Sequence, residues 1–168
     1  MEKLIILDFD GVVTSCIEKP GSYIVNANDL YGASPSCIHR LLKLADETGA
    51  KIVISSNWRR FDDTGACSFW NSIIYGSYTN PLPKLKETLG LRYLCDLPKM
   101  RHIKKSQALK MWFDETGRDP EKTAYVIFDD DESEGFGQSE FSVRFIHTDY
   151  MTGLTDADCE KAKKLLET

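Results

Sequence analysis

Leu4-Ile5-Ile6-Leu7-Asp8-Phe9-Asp10-Gly11-Val12-Val13-Thr14, near the start of the chain, decides how the rest is read. Four consecutive apolar residues, two of them β-branched, predict a strand buried on both faces. That strand ends in two carboxylates one residue apart. Side chains alternate along a regular strand, so Asp8 and Asp10 share a face, and Gly11 supplies the freedom to turn the chain away. Two acids aimed at one point need a cation or a proton, unless they merely end a strand and cap the next segment.

The 168 residues suit one domain, expected to span 1–168, with a sizeable core. A formal net charge of -5 argues against nucleic-acid binding by bulk electrostatics, though not against a few placed cations. The five cysteines, Cys16, Cys37, Cys67, Cys95 and Cys159, are scattered and contain no Cys-x-x-Cys pair, so neither a disulfide framework nor a zinc site is expected. A membrane span needs about 18 consecutive apolar residues, and none is present. With Glu2, Asp8 and Asp10 inside it, the N-terminal stretch does not resemble a signal peptide, and a cytoplasmic location is expected.

Two further stretches repeat the pattern of the first. Lys51-Ile52-Val53-Ile54 is a short β-branched run that stops in Ser55, Ser56, Asn57, Trp58 and Arg59; Ala124-Tyr125-Val126-Ile127-Phe128 stops in Asp129, Asp130, Asp131 and Glu132. Between the first two lies a helix starting at Ser34-Pro35, with Ile38, Leu41, Leu42 and Ala45 on one face and Gly49 at its end. Strand, helix and strand in that order predict a parallel sheet, which binds ligands beyond the carboxyl ends of its strands. A further helix near Ser106 presents Leu109, Met111, Trp112 and Phe113 before Gly117, just after the basic cluster Lys99, Arg101, His102, Lys104 and Lys105. Helical pieces are also expected between 62 and 75 and around Leu85 and Leu89, and an extended piece at Tyr23-Ile24-Val25. A last strand is expected within 141–148, followed by a helix opened by a capping box at Thr155-Asp156-Ala157-Asp158 and packing through Ala162, Leu165 and Leu166.

Asp8, Asp10, Gly11 and Thr14 fill the fixed positions of Asp-x-Asp-Gly-x-x-Thr. Together with Ser55, a lysine before the Ser106 helix, and Asp129-Asp130, the chain resembles the haloacid dehalogenase (HAD) superfamily over nearly its whole length. The resemblance implies an α/β fold, a three-layer, doubly wound and mostly parallel sheet, with a minimal cap or none because only about 20 residues separate Thr14 from Ser34. It also implies a phosphohydrolase in which Asp8 is the nucleophile and Asp10 the acid and base, since the dehalogenase branch lacks the second acid. Ser55, with Ser56 as the other candidate, would hold the phosphate, and Lys105, with Lys104 competing and Lys99 behind them, would be the lysine. Phosphate and carboxylate repel by about 4 kcal/mol at about 4 Å and an effective dielectric near 20, so a cation must intervene. Mg2+ on Asp8, Asp130 and the Asp10 carbonyl, with Asp129 sharing or orienting, meets that need. To act as an acid near neutrality, Asp10 must rise about three units above its usual value of about 3.9.

Ser55-Ser56-Asn57-Trp58-Arg59 and His147-Thr148-Asp149-Tyr150-Met151-Thr152-Gly153-Leu154-Thr155 are similar to the small HAD domains of multifunctional RNA-repair proteins, from which the second motif departs by the insertion of Asn57. This implies a nucleic-acid end or nucleotide as substrate. Gly11, Ser56, Asn57, Trp58, Arg59 and Lys104 are the expected substrate contacts, Trp58 by stacking and Arg59 by pairing with phosphate unless both serve packing. The alternatives are a general small-molecule or protein phosphatase and a non-catalytic module on the same fold.

Overall fold

A computed structural model describes residues 2–17, 33–60, 80–100 and 102–167, without the side chain of Arg60. The elements in chain order are β1 (Lys3–Leu7), α1 (Pro35–Thr48), β2 (Lys51–Ile54), α2 (Leu82–Leu89), β3 (Tyr93–Asp96), α3 (Lys105–Thr116), β4 (Ala124–Asp129), β5 (Phe145–His147) and α4 (Asp156–Glu167). The helical piece expected between 62 and 75 and the extended piece at 23–25 both fall wholly outside the described residues. So does most of the sequence that bears on the size of a cap.

The five strands form one parallel sheet in the order β3-β2-β1-β4-β5. The chain winds from β1 outward through β2 to β3, then crosses to the other side of β1 for β4 and β5. Right-handed crossovers would put α1 and α2 on one face and α3 on the other, and α4, after β5, folds back onto the α1 face. Accordingly, Ile5, Leu7, Ile52, Ile54, Val126 and Phe128 pack with α1, α2 and α4. Leu4, Ile6, Val53, Tyr125 and Ile127 pack with Ala108, Leu109, Trp112 and Phe113 of α3, and with Phe136 and Phe141. Both apolar layers depend on strand residues buried on alternate sides, each contributing about 1.5–3 kcal/mol when its side chain is large and fully covered. The winding reverses between β1 and β4, which makes the carboxyl end of that pair the switch point where such sheets bind ligands.

Local chemistry fixes the helix ends. Ser34 Oγ accepts from the Cys37 amide at 3.2 Å, with Pro35 in the first turn, and Gly49 closes α1 at φ 70°. The expected capping box at α4 is formed: Thr155 Oγ1 accepts from the Asp158 amide at 3.2 Å, and Asp158 Oδ2 accepts from the Thr155 amide at 3.1 Å. Two expectations change. Residues 93–96 form an additional strand, β3, and only Phe145–His147 of the expected 141–148 strand is extended, because Ser142–Arg144 is a 3-10 turn that tucks Phe141 into the α3-side core. No described helix is long and apolar enough to cross a membrane.

Candidate active site

Strand register brings the three motif strands into line. Leu7 pairs with Ile54 on one side and Phe128 on the other, so the next residues, Asp8, Ser55 and Asp129, form one row. Backbone bonds carry the ladder past Leu7: the Asp8 amide donates to Phe128 O at 3.1 Å and the Ser55 amide to Leu7 O at 2.8 Å. In the alternation of the pleat this row lies on the α3 side. Lys105, the first residue of α3, reaches back to it, and its Nζ stands 2.6 Å from Asp8 Oδ2 and 2.8 Å from Asp129 Oδ2 with all three side chains buried. Of the two candidate lysines, the structure brings Lys105 to the acids; Lys104 stays exposed at the N-cap of α3.

Burial by itself lowers the Lys105 pKa, but the charges and hydrogen bonds of Asp8 and Asp129 outweigh it and hold the ammonium above its usual range. Asp129 is pushed up, first by burial and then by the charge of Asp8, against the pull of Lys105. Both its oxygens are engaged, Oδ2 by Lys105 and Oδ1 by the Asp131 amide at 3.0 Å. Asp130, by contrast, lines an open pocket of about 400 Å³ together with Asp8, Asp10, Asn57, Lys105 and Asp131. Burial and the Asp8 charge raise its pKa as well, and His147 Nε2 lies 2.8 Å from its carbonyl. Asp8, Asp129 and Asp130 each offer an oxygen within 4.8 Å of the others, a donor set that fits a hard divalent cation. The Asp10 carboxylate is outside that set.

Asp10 Oδ2 accepts from Trp58 Nε1 at 2.8 Å. Burial, followed by the charge of Asp8, pushes the Asp10 pKa up to about 6; the Trp58 hydrogen bond restrains it, Asp130 adds to the rise and Lys105 opposes it. Gly11 has φ 61° and its amide donates to Thr14 Oγ1 at 2.8 Å. A Cβ on Gly11 would lie 2.3 Å from Asp130 Cγ, so the glycine lets the turn after β1 close against Asp130.

The second motif is disposed differently from expectation. Ser55 and Ser56 are both fully buried; Ser55 Oγ has no hydrogen-bond partner among the described residues, whereas Ser56 Oγ accepts from the Trp58 amide at 3.4 Å. Asn57 is the residue of this segment that lines the pocket. Of the two roles open to Trp58, stacking on substrate or packing, the structure shows packing against the core, with the indole N–H donated to Asp10. Arg59, open to phosphate pairing or a structural role, is 1% exposed, and its guanidinium donates to Ser55 O, Ser56 O and Pro98 O. It clamps the turn that presents Asn57, because three carbonyls left by the end of β2 and the β3–α3 loop need donors.

Glu134 ends the short 3-10 turn Glu132–Glu134 that follows β4. In the structure its Oε1 accepts from Asn57 Nδ2 at 2.9 Å and its Oε2 from the Lys105 amide at 2.8 Å. It thereby ties the second motif to the N-terminus of α3, where a carboxylate also complements the helix dipole. The available signal was an acid four residues after Asp130, just ahead of Gly135, which at φ 85° folds the loop back.

Comparison with curated proteins and comparison with solved structures gave no match. A family model described as the HAD domain in Swiss Army Knife RNA repair proteins matches residues 4–159, which takes in all three acid and serine strand ends as well as Lys105. On that match and the parallel α/β sheet, the chain belongs to this family of HAD domains.

Proposed function

We propose that the protein is a Mg2+-dependent phosphohydrolase that works through an aspartyl-phosphate and takes its phosphate from a nucleic-acid end or a nucleotide. The observation that carries this is the placing of two carboxylates, Asp8 and Asp10, on one open pocket, with Lys105 fixing the first and Trp58 the second. Asp8 attacks phosphorus, forming a new P–O bond as the bond to the leaving oxygen breaks. Asp10, raised to about 6, gives its proton to that oxygen and then takes one from the water that attacks the acyl-phosphate. Lys105 keeps Asp8 oriented and offsets its charge throughout. Ser55, whose buried hydroxyl has no partner in the described residues, supplies a donor in the same row for a phosphoryl oxygen. Asp8 and Asp130 would hold the ion with the Asp10 carbonyl, Asp129 orienting them; when bound, it supplies charge neutralisation between carboxylate and phosphate. The family description, HAD domain in RNA repair proteins, supports a nucleic-acid substrate. The four described cysteines are all free thiols, which suits the cytoplasm.

The test is a Mg2+-dependent phosphatase assay over nucleotides, phosphorylated oligonucleotides, small phosphate esters and phosphopeptides, with Asp8→Asn as control. The expected outcome is turnover highest on the nucleic-acid members and abolished by Asp8→Asn. Turnover that survives Asp8→Asn refutes the mechanism. Activity confined to small esters or peptides replaces the substrate reading, and activity on none points to a binding module.

A further inference from the structure

If Asp10 protonates the leaving oxygen, the group carrying that oxygen passes over whatever adjoins Asp10. Two turns far apart in sequence meet just beyond Gly11, whose amide donates to Thr14 Oγ1: residues 14–17 after the first motif and 149–153 after β5. They are stitched together by backbone and side chain: the Leu154 amide donates to Val12 O at 2.8 Å, the Ile17 amide to Met151 O at 3.2 Å, and Ser15 Oγ to the same carbonyl at 3.2 Å. The second turn is closed on itself, with the Gly153 amide on Asp149 O and the Met151 amide on Asp149 Oδ1, both at 2.7 Å. Gly153, at φ 66°, sits where a Cβ would come 2.2 Å from Thr14 O and 2.8 Å from Cys37 Sγ, so the turns are pressed directly against each other. Their outer side carries Ile17, Met151 and Tyr150, which are 64%, 53% and 38% exposed. Burial raises the Tyr150 phenol pKa, with the charges of Cys16 and Asp10 adding to the rise. Single exposed apolar residues need no explanation, but three on two cross-bonded turns at the flank of the acid do.

We propose that Ile17, Tyr150 and Met151 form the leaving-group subsite, a rigid apolar rim on which the nucleobase nearest the scissile phosphate stacks. The inference rests on the phosphohydrolase reading and specifies the substrate of the same site. Every base has a π-face that a tyrosine ring can stack on, and a methionine thioether packs favourably against an aromatic edge. The two turns, residues 14–17 and 149–153, contain no Lys or Arg, so they suit a base and not the phosphodiester backbone. Their carboxylate, Asp149, is engaged in closing its own turn.

The experiment uses the full chain carrying Asp8→Asn, with Mg2+, titrated calorimetrically with adenosine monophosphate, glycerol phosphate and a phosphotyrosine peptide. The nucleotide is expected to bind about tenfold or more tighter than glycerol phosphate, as stacking on one aromatic implies. In Tyr150→Ala that ratio should fall at least about fivefold, while Tyr150→Phe, which keeps the ring and loses the phenol, retains it. Equal affinity for the two esters, a ratio unmoved by Tyr150→Ala, or a preference for the phosphotyrosine peptide over the nucleotide would overturn the rim as a base platform. Lack of turnover of either ester by the wild type overturns the phosphohydrolase reading instead, since the ratio of binding constants is measured without turnover.

Discussion

Replacing Lys105 by Met tests the electrostatic centre of the site with little change in side-chain length. The ammonium stands 2.6 Å and 2.8 Å from two buried carboxylates. At an effective dielectric near 20, each contact carries roughly 6 kcal/mol of gross attraction, most of it offset by the desolvation of three buried ions. What the variant loses is the compensation: Asp8 and Asp129 are left facing each other, and breaking a buried pair costs about 3–5 kcal/mol. Lys105 is charged at all ordinary pH, so the pH dependence of the loss comes from the carboxylates. Asp129 is already raised by burial and the Asp8 charge, and without the ammonium that opposes the rise its folded pKa lies further above the unfolded one, so the proton binds the folded state better and stability returns as pH falls. Urea unfolding in EDTA at pH 7.5 should therefore show a loss of about 3–5 kcal/mol that shrinks at pH 5. Lys105→Met with Asp129→Asn removes the repulsion and should be more stable than Lys105→Met alone by about 1 kcal/mol or more, which keeps the reasoning testable if the single variant folds poorly. A single variant within about 1 kcal/mol of wild type at pH 7.5, or an equal loss at both pH values, would refute it.

Three other outcomes rest on neighbouring contacts. Gly11→Ala places a Cβ 2.3 Å from Asp130 Cγ at φ 61°; it should cost about 1–2 kcal/mol in backbone strain alone and weaken Mg2+ binding by displacing Asp130, read by calorimetry. Metal-free wild type should gain stability relative to Asp10→Asn as pH falls from 7 to 4, because the raised pKa of about 6 against 3.8 favours the protonated folded state. The difference should approach about 3 kcal/mol, and unfolding curves of the two proteins that keep a constant gap would contradict it. Trp58→Phe removes the hydrogen bond that restrains Asp10, so a carbon-detected NMR titration of the metal-free protein should place the Asp10 pKa above that of wild type; a fall would show that the indole does not stabilise the carboxylate.

How much the sequence disclosed depended on how completely each segment was buried. β1 and β4 are covered on both faces, so continuous apolar runs announced them, and the acids that ended those runs marked the switch point. β3 escaped notice because it is an edge strand: Tyr93, Leu94, Cys95 and Asp96 are all partly exposed, and no apolar run exists to find. At the site, Asp8 and Asp10 were legible because strand geometry fixes where the next side chain points, whereas Lys105 stood out from Lys104 only through the family resemblance. Trp58 and Arg59 lie in a 3-10 turn, where no period applies, and their directions were set by unpaired groups nearby: an Asp10 oxygen for one and three carbonyls for the other. Glu134 was illegible for a related reason, since its partners, Asn57 and the α3 N-terminus, are brought to it only by the tertiary fold.

The same placement concentrates negative charge at the carboxyl end of the β1–β4 pair. Asp8, Asp10, Asp129, Asp130 and Asp131 gather around one ammonium, so full ionisation would leave four uncompensated negative charges at a partly dry site. The fold lessens that cost in two ways visible in the site: Lys105 is divided between the two most buried acids, and the pKa values of Asp10, Asp129 and Asp130 are raised towards protonation. Neither device admits a phosphate dianion, which needs positive charge in the pocket itself, beyond what Lys105 has already committed to carboxylates. A divalent cation at the Asp8, Asp129 and Asp130 oxygens relieves both problems at once. On this account the ion should stabilise the folded chain as well as serve the reaction, by about 2.7 kcal/mol at a hundredfold excess over its dissociation constant. On the proposed mechanism, Asp10, whose carboxylate lies outside the Asp8, Asp129 and Asp130 set, would be the acid that holds and releases the proton.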